Sequence, residues 1–291
     1  MKGVTLQLSL LAAAVLWTTP SWGQFAPQAA CQNGSAPRTS VYYVNGVTTT
    51  LDEARLNGGK LEMEFLTRLP SMTPASLQSS CYLFFLNYNP TSGTVKDFTE
   101  AGQQRLGINP SDMWRKLETF ASLGPTMVSL LQGPMTQTNQ IDQVAVQRHA
   151  AAYRAQMTPP LCRRVVVVPH SQGNLYANAA YDAAVGSSPA PAPAAGALKI
   201  VGVATPDTVV KGNGRYRTST GDLLIGAINL LLPSTLDANT NWGLNPITSL
   251  APLYSGGHSF MGYLSFDDSR DQILSDIQSS LTDVNAVAVC P

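Results

Sequence analysis

Three residues in the second half of the chain are of the types needed for nucleophilic catalysis: Ser171, Asp222 and His258. A serine hydroxyl is a weak nucleophile at neutral pH and needs an adjacent base to take its proton. Histidine suits that role because its imidazole changes charge near neutrality, and a carboxylate can hold the ring in the working tautomer. His258 is the one histidine that follows Ser171, in the glycine-flanked loop Ser-Gly-Gly-His-Ser-Phe-Met-Gly-Tyr ahead of the last helix. Asp222 follows Arg-Tyr-Arg-Thr-Ser-Thr-Gly, which reads as a short strand and a turn, and is the first choice for the acid. Asp207, after Leu-Lys-Ile-Val-Gly-Val-Ala-Thr-Pro, is the second, and Asp237, in a loop, the third. Each could instead be a turn or helix-cap carboxylate, since aspartate favours both places.

The serine must be held where a substrate can reach it. Residues 165–174 read Val-Val-Val-Val-Pro-His-Ser-Gln-Gly-Asn. Four valines in a row predict a strand buried on both faces, as in the interior of a parallel sheet. The small residues of 174–185 predict a helix. A sharp turn between the two lifts Ser171 above the carboxyl end of the sheet, and Gly173 gives the helix clearance to pack close. His170 is expected to point away from Ser171. His149, inside a helical pattern over 144–157, is expected at the surface.

This stretch resembles the nucleophile region of the α/β-hydrolase superfamily, whose pattern is Gly-x-Ser-x-Gly. Pro169 stands in place of the first glycine, which fixes φ and removes an amide donor. The chain order serine, acid, histidine is also the superfamily's order. The resemblance implies a mostly parallel central sheet flanked by helices, with Ser171 as nucleophile, His258 as base and Asp222 as its orienter. It implies an acyl-enzyme hydrolysed by water, with no metal or organic cofactor. An oxyanion hole needs two backbone N–H groups. By resemblance these are the amide of Gln172 and one from the loop after an early strand, here Ser40-Val-Tyr-Tyr-Val followed by Asn45-Gly46, with Val47 as donor. The plain reading of that loop is a strand-to-helix connection, with Thr50 capping a helix from Leu51. The two readings are compatible.

The implied substrates are carboxylic esters, small-molecule or lipid, as in lipases and esterases. Two other classes stay open. One is a non-catalytic exported binding or envelope protein that kept the fold, which Pro169 favours. The other is an acyltransferase that uses the same serine with an alcohol in place of water.

The positioning elements read as α/β. Strands near 41, 82 and 165 are separated by helical stretches, which points to a parallel sheet. Residues 97–157 are largely helical, longer than one crossover needs, and form either bulk packing beside the sheet or part of a cap. The Pro-Ala-rich stretch 187–196 reads as a surface loop. Residues 223–232 are strongly apolar; with Trp242, Leu244, Ile247, Leu250 and Leu253 they form core or the wall of an acyl pocket. An amphipathic helix is expected over 267–281.

Composition bounds the rest. The 291 residues include 44% hydrophobic side chains, enough for one sizeable domain. Charged residues make up only 12%, about half the usual share. Basic and acidic residues balance at 18 each, so no field gathers nucleic acid. Three histidines and four scattered cysteines do not have the spacing of a zinc site. Lys2, the apolar run 4–17 and the small residues of Ser21-Trp22-Gly23 read as an export signal, residues 1–23, leaving a single domain over 24–291 in the periplasm or outside the cell. No other segment is long and apolar enough to span a membrane, and contact with a membrane surface stays open. The even cysteine count of an exported chain implies disulfides. Of the three pairings, Cys31–Cys81 and Cys162–Cys290 are preferred, at the end of the sheet opposite Ser171. Oligomeric state is left open by the sequence.

Overall fold

The computed structural model describes residues 38–46, 49–78, 80–90, 143–186, 194–222, 225–226, 228–229, 234–241 and 257–290. The expected export signal, Cys31, Val47, most of the 97–157 segment and all of 242–253 lie outside them.

Strand β1 (Thr39–Val44) is followed by helix α1 (Leu51–Arg68), a short α2 (Ala75–Gln78) and strand β2 (Tyr82–Asn87). Helix α3 (Gln143–Met157), strand β3 (Arg164–Pro169), helix α4 (Gly173–Val185) and strand β4 (Leu198–Val203) come next. The chain ends with β5 (Arg215–Arg217), α5 (Phe260–Ser265) and α6 (Asp267–Asn285). The five strands form one parallel sheet in the order β2-β1-β3-β4-β5, so the protein is of the α/β class.

Alternation along the strands sends side chains to two cores. Val41, Tyr43, Phe84, Val166, Val168, Val201 and Val203 face one side and pack with Leu61 and Phe65 of α1, Tyr263 of α5 and Ile273, Ile277 and Leu281 of α6. Tyr42, Val44, Val165, Val167, Leu198 and Ile200 face the other and pack against α3 and α4. The valine run is therefore buried on both faces, which is why it has no polar alternation. Helix α1 begins where the sequence indicates. Thr50 Oγ1 accepts from the Glu53 amide at 3.3 Å, and the Glu53 carboxylate accepts from the Thr50 amide at 2.8 Å, satisfying two donors that have no partner inside the helix.

From β1 the chain steps to β2 on one side, then returns past β1 to β3 and continues to β4 and β5 on the other. Open α/β sheets leave a crevice where the strand order reverses in this way, outside the carboxyl ends of the strands. Here the reversal falls between β1 and β3. The Asn45-Gly46 loop and Ser171 leave the sheet at those two strand ends.

At the opposite end of the sheet Cys162 is bonded to Cys290, with an S–S distance of 2.08 Å. Helix α6 returns the chain toward the amino end of β3, and Arg164 holds that return by donating to the carbonyls of Val284 at 2.8 Å and Val287 at 3.0 Å. Cys81 is also disulfide-bonded. No helix of the described residues is long and apolar enough to cross a membrane.

His149 corrects one expectation. It is fully buried in the second core, not at the surface. Its ring lies between Tyr153 and Tyr176, with centroids 6.4 Å and 6.2 Å away. Neither ring nitrogen has a hydrogen-bond partner among the described residues. Burial, reinforced by the charge of Arg148, pushes its pKa down to about 3, so the ring is neutral at physiological pH.

Candidate active site

The strand β3 ends at Pro169, and the turn to α4 is pinned on both sides. The His170 amide donates to the Val44 carbonyl at 2.9 Å and the Ser171 amide to the Val203 carbonyl at 3.0 Å. Asn174 Nδ2 donates to the carbonyls of Ser171 and Val203, at 2.9 Å and 3.0 Å. Held this way, Ser171 adopts φ +56°, a left-handed conformation that a side-chain-bearing residue keeps only when its surroundings over-determine it. Ser171 Oγ is thereby presented beyond the strand ends.

Two glycines allow the backbones to approach. A β-carbon on Gly173 would stand 2.7 Å from the Val44 carbonyl oxygen and 2.8 Å from that of Asn45. The clearance expected of Gly173 is thus used against the end of β1. A β-carbon on Gly46 would overlap Ser171 Cβ and stand 2.9 Å from the His170 carbonyl oxygen. The Asn45-Gly46 loop therefore lies directly against the serine. Asn45 is buried and fixed by Asn89, whose amide donates to Asn45 Oδ1 at 2.7 Å while Asn45 Nδ2 donates to the Asn89 carbonyl at 2.8 Å.

His258 follows Gly257, which has φ +76°, and precedes Ser259, whose hydroxyl caps α5 by accepting from the Gly262 amide at 3.0 Å. The imidazole Nε2 lies 2.7 Å from Ser171 Oγ. Its Nδ1 lies 3.0 Å and 2.9 Å from the two carboxylate oxygens of Asp222. A carboxylate only accepts, so Nδ1 carries the proton and Nε2 offers its lone pair to the serine hydroxyl. The serine is 3% exposed and the histidine 8%. The contact is therefore largely shielded from water, which strengthens each electrostatic interaction in it.

The Asp222 side chain is fully buried, and a buried carboxylate needs donors. Besides His258, it accepts from the Tyr263 hydroxyl at 2.9 Å and from the Ile225 amide at 3.0 Å. Tyr263 in turn accepts from the Ser219 amide at 2.8 Å. Burial, and then the Asp222 charge beside it, pushes the Tyr263 hydroxyl well above its ordinary pKa. It therefore stays protonated and remains a donor. Nothing in the sequence singles out Tyr263, although it lies one turn into the helix that follows His258.

The other sequence candidates fall elsewhere. Asp207, the second acid, binds Asn178 Nδ2 at 2.8 Å and the Thr208 amide at 2.6 Å and takes no part in the His258 contact. Asp237 is exposed in its loop. Gln172 is buried at the start of α4, directly after the serine. Of the apolar stretch after Asp222, Ile225 and Ile228 are core residues. Among the described residues no group of three or more His, Cys, Asp or Glu side chains is placed to hold a metal ion.

Searches against protein-family models and against curated proteins find no match to this chain.

Proposed function

We propose that this chain is an exported serine hydrolase of the α/β-hydrolase superfamily that acts on carboxylic esters. The observation that carries the reading is the unbroken line from Ser171 Oγ through His258 to Asp222, with contacts of 2.7 Å and 2.9 Å. Its position at the strand-order reversal of a parallel sheet supports the same reading. So does the strained backbone of Ser171, since this geometry belongs to a nucleophile elbow.

In this mechanism His258 Nε2 takes the hydroxyl proton as Ser171 Oγ attacks the ester carbonyl. Asp222 stabilises the imidazolium that forms. The oxyanion develops at the positive end of α4, where the Gln172 amide is the proposed donor; the second donor expected from the sequence, the Val47 amide, lies outside the described residues. Imidazolium returns the proton to the leaving alkoxide, and the acyl group stays on Ser171. Water, deprotonated by His258, then releases the acid and restores the serine. The disulfide between Cys162 and Cys290 fits an oxidising compartment, which supports export.

The test is labelling of the purified protein with a fluorophosphonate probe, beside Ser171→Ala and His258→Ala. The expected result is labelling of the wild type and loss in both variants. It would be followed by a p-nitrophenyl ester series of increasing acyl length, with and without an added alcohol acceptor. A folded wild type that does not label overturns the reading in favour of a binding protein. Ester products that form only with the alcohol present favour acyl transfer over hydrolysis.

A further inference from the structure

We propose that His170 is a positioning residue, which fixes the backbone of the base from the same turn that carries the nucleophile. The inference rests on the serine-hydrolase reading and adds to it a residue outside the triad.

His170 is 5% exposed and lies in the interior of the site. Its Nε2 is 2.7 Å from the backbone carbonyl oxygen of His258. A carbonyl oxygen can only accept, so Nε2 carries the proton and donates. The ring is held in place on three sides. Its centroid lies 5.5 Å from that of Phe260 and 6.3 Å from that of Tyr263, both edge-on, and 5.0 Å from the His258 ring.

The tautomer has a cost that points to its use. With the proton on Nε2, Nδ1 is a buried lone pair beside Gly46, and it has no hydrogen-bond partner among the described residues. A phenyl ring would fill the same space without stranding a polar atom. What the imidazole adds is the donor to the His258 carbonyl.

That donor reaches the residue whose position matters most. His258 leaves a glycine in the left-handed region, a joint with little stiffness of its own. On the side-chain side it is tethered to Asp222, and on the backbone side to His170. Because His170 and Ser171 are consecutive, a displacement of the elbow carries the nucleophile and the anchor of the base together. The 2.7 Å contact between Ser171 and His258 is thus set within one turn of chain rather than across the sheet. Burial, and then the neighbouring His258, hold the His170 pKa well below its ordinary value. His170 therefore stays neutral while His258 takes up the serine proton, and no second positive ring opposes that step.

The experiment compares the full wild-type chain with His170→Phe and His170→Gln. The glutamine side chain can place an N–H near the position of Nε2, whereas phenylalanine keeps the ring shape without a donor. His170→Asn, whose amide stops short of the carbonyl, replaces the phenylalanine variant if that protein does not fold. Two quantities are read: the second-order rate of fluorophosphonate labelling and the hydrogen exchange of the peptide covering 257–263. His170→Phe is expected to label about 10- to 100-fold more slowly and to exchange faster over 257–263, with glutamine recovering most of both. Unchanged labelling and exchange in His170→Phe overturn the proposal. So does a glutamine variant as impaired as the phenylalanine one, which would show that ring shape alone matters. If the wild type does not label, the hydrolase reading fails separately, and the exchange comparison alone decides whether His170 anchors the loop.

Discussion

A buried neutral histidine makes stability depend on pH, and His149 is placed to show it. In the unfolded chain an exposed histidine titrates near its ordinary value, about 6.5. In the folded protein burial pushes His149 down to about 3. A folded-state pKa below the unfolded one means that the unfolded chain binds the proton more readily. The stability from keeping the ring neutral is complete above about pH 6.5 and is lost as the pH falls toward about 3, at roughly 1.4 kcal/mol per pH unit. At pH 5 the loss is about 2 kcal/mol. His149→Phe removes the titration, and the site between Tyr153 and Tyr176 is aromatic and accepts the ring. The assay is urea unfolding of wild type and variant at pH 7.5 and pH 5, followed by tryptophan fluorescence. Carboxylates titrate alike in both proteins, so the difference of differences isolates His149. The variant is expected to gain about 2 kcal/mol on the wild type at the lower pH. Parallel behaviour at the two pH values would refute the reasoning and return His149 to the surface.

Three further outcomes test the site. Asp222→Asn is expected to lower ester hydrolysis by about four orders of magnitude, because an amide no longer selects the Nδ1–H tautomer, whereas Asp207→Asn leaves the rate within about threefold; steady-state kinetics of both variants checks this. Gly46→Ala places a methyl group on Ser171 and the elbow backbone, so probe labelling is expected to vanish while circular dichroism retains the α/β signature. Tyr263→Phe deprives Asp222 of a donor and leaves the Ser219 amide unpaired, with an expected cost of about 1–3 kcal/mol in denaturant unfolding and a fall in kcat larger than any change in KM.

What could be read from the sequence follows from which signals are local. The valine run and the Ser-Gln-Gly turn are written in consecutive residues, and they place β3, the elbow and α4 correctly. Thr50 with Glu53 marks the start of α1 for the same reason. The carboxylate partner of His258 has no such local signal, because aspartate suits so many turns that the sequence orders Asp222 and Asp207 without separating them. Only the fold brings a residue 36 positions upstream against the His258 ring. For His149 the sequence does carry a signal of burial. Val146, His149 and Tyr153 are spaced as one face of a helix, and that face is the buried one. Position on that face, not the polarity of the ring, decides its burial. Tyr263, Ser219 and the bond from His170 to a backbone carbonyl have no sequence signature. They depend on which carbonyls and amides the finished loops leave facing one another.

The bond between Cys162 and Cys290 spans 128 positions of the chain, and Ser171, Asp222 and His258 all fall within that span. The three residues of the proposed triad thus sit on a single covalent ring. A single cut of the backbone between the two cysteines opens the ring but releases neither piece. The severed halves stay tethered through sulfur at the far end of the sheet, and only reduction sets them apart. The same closure that braces the fold gives the site tolerance to nicking, conditional on an oxidising medium.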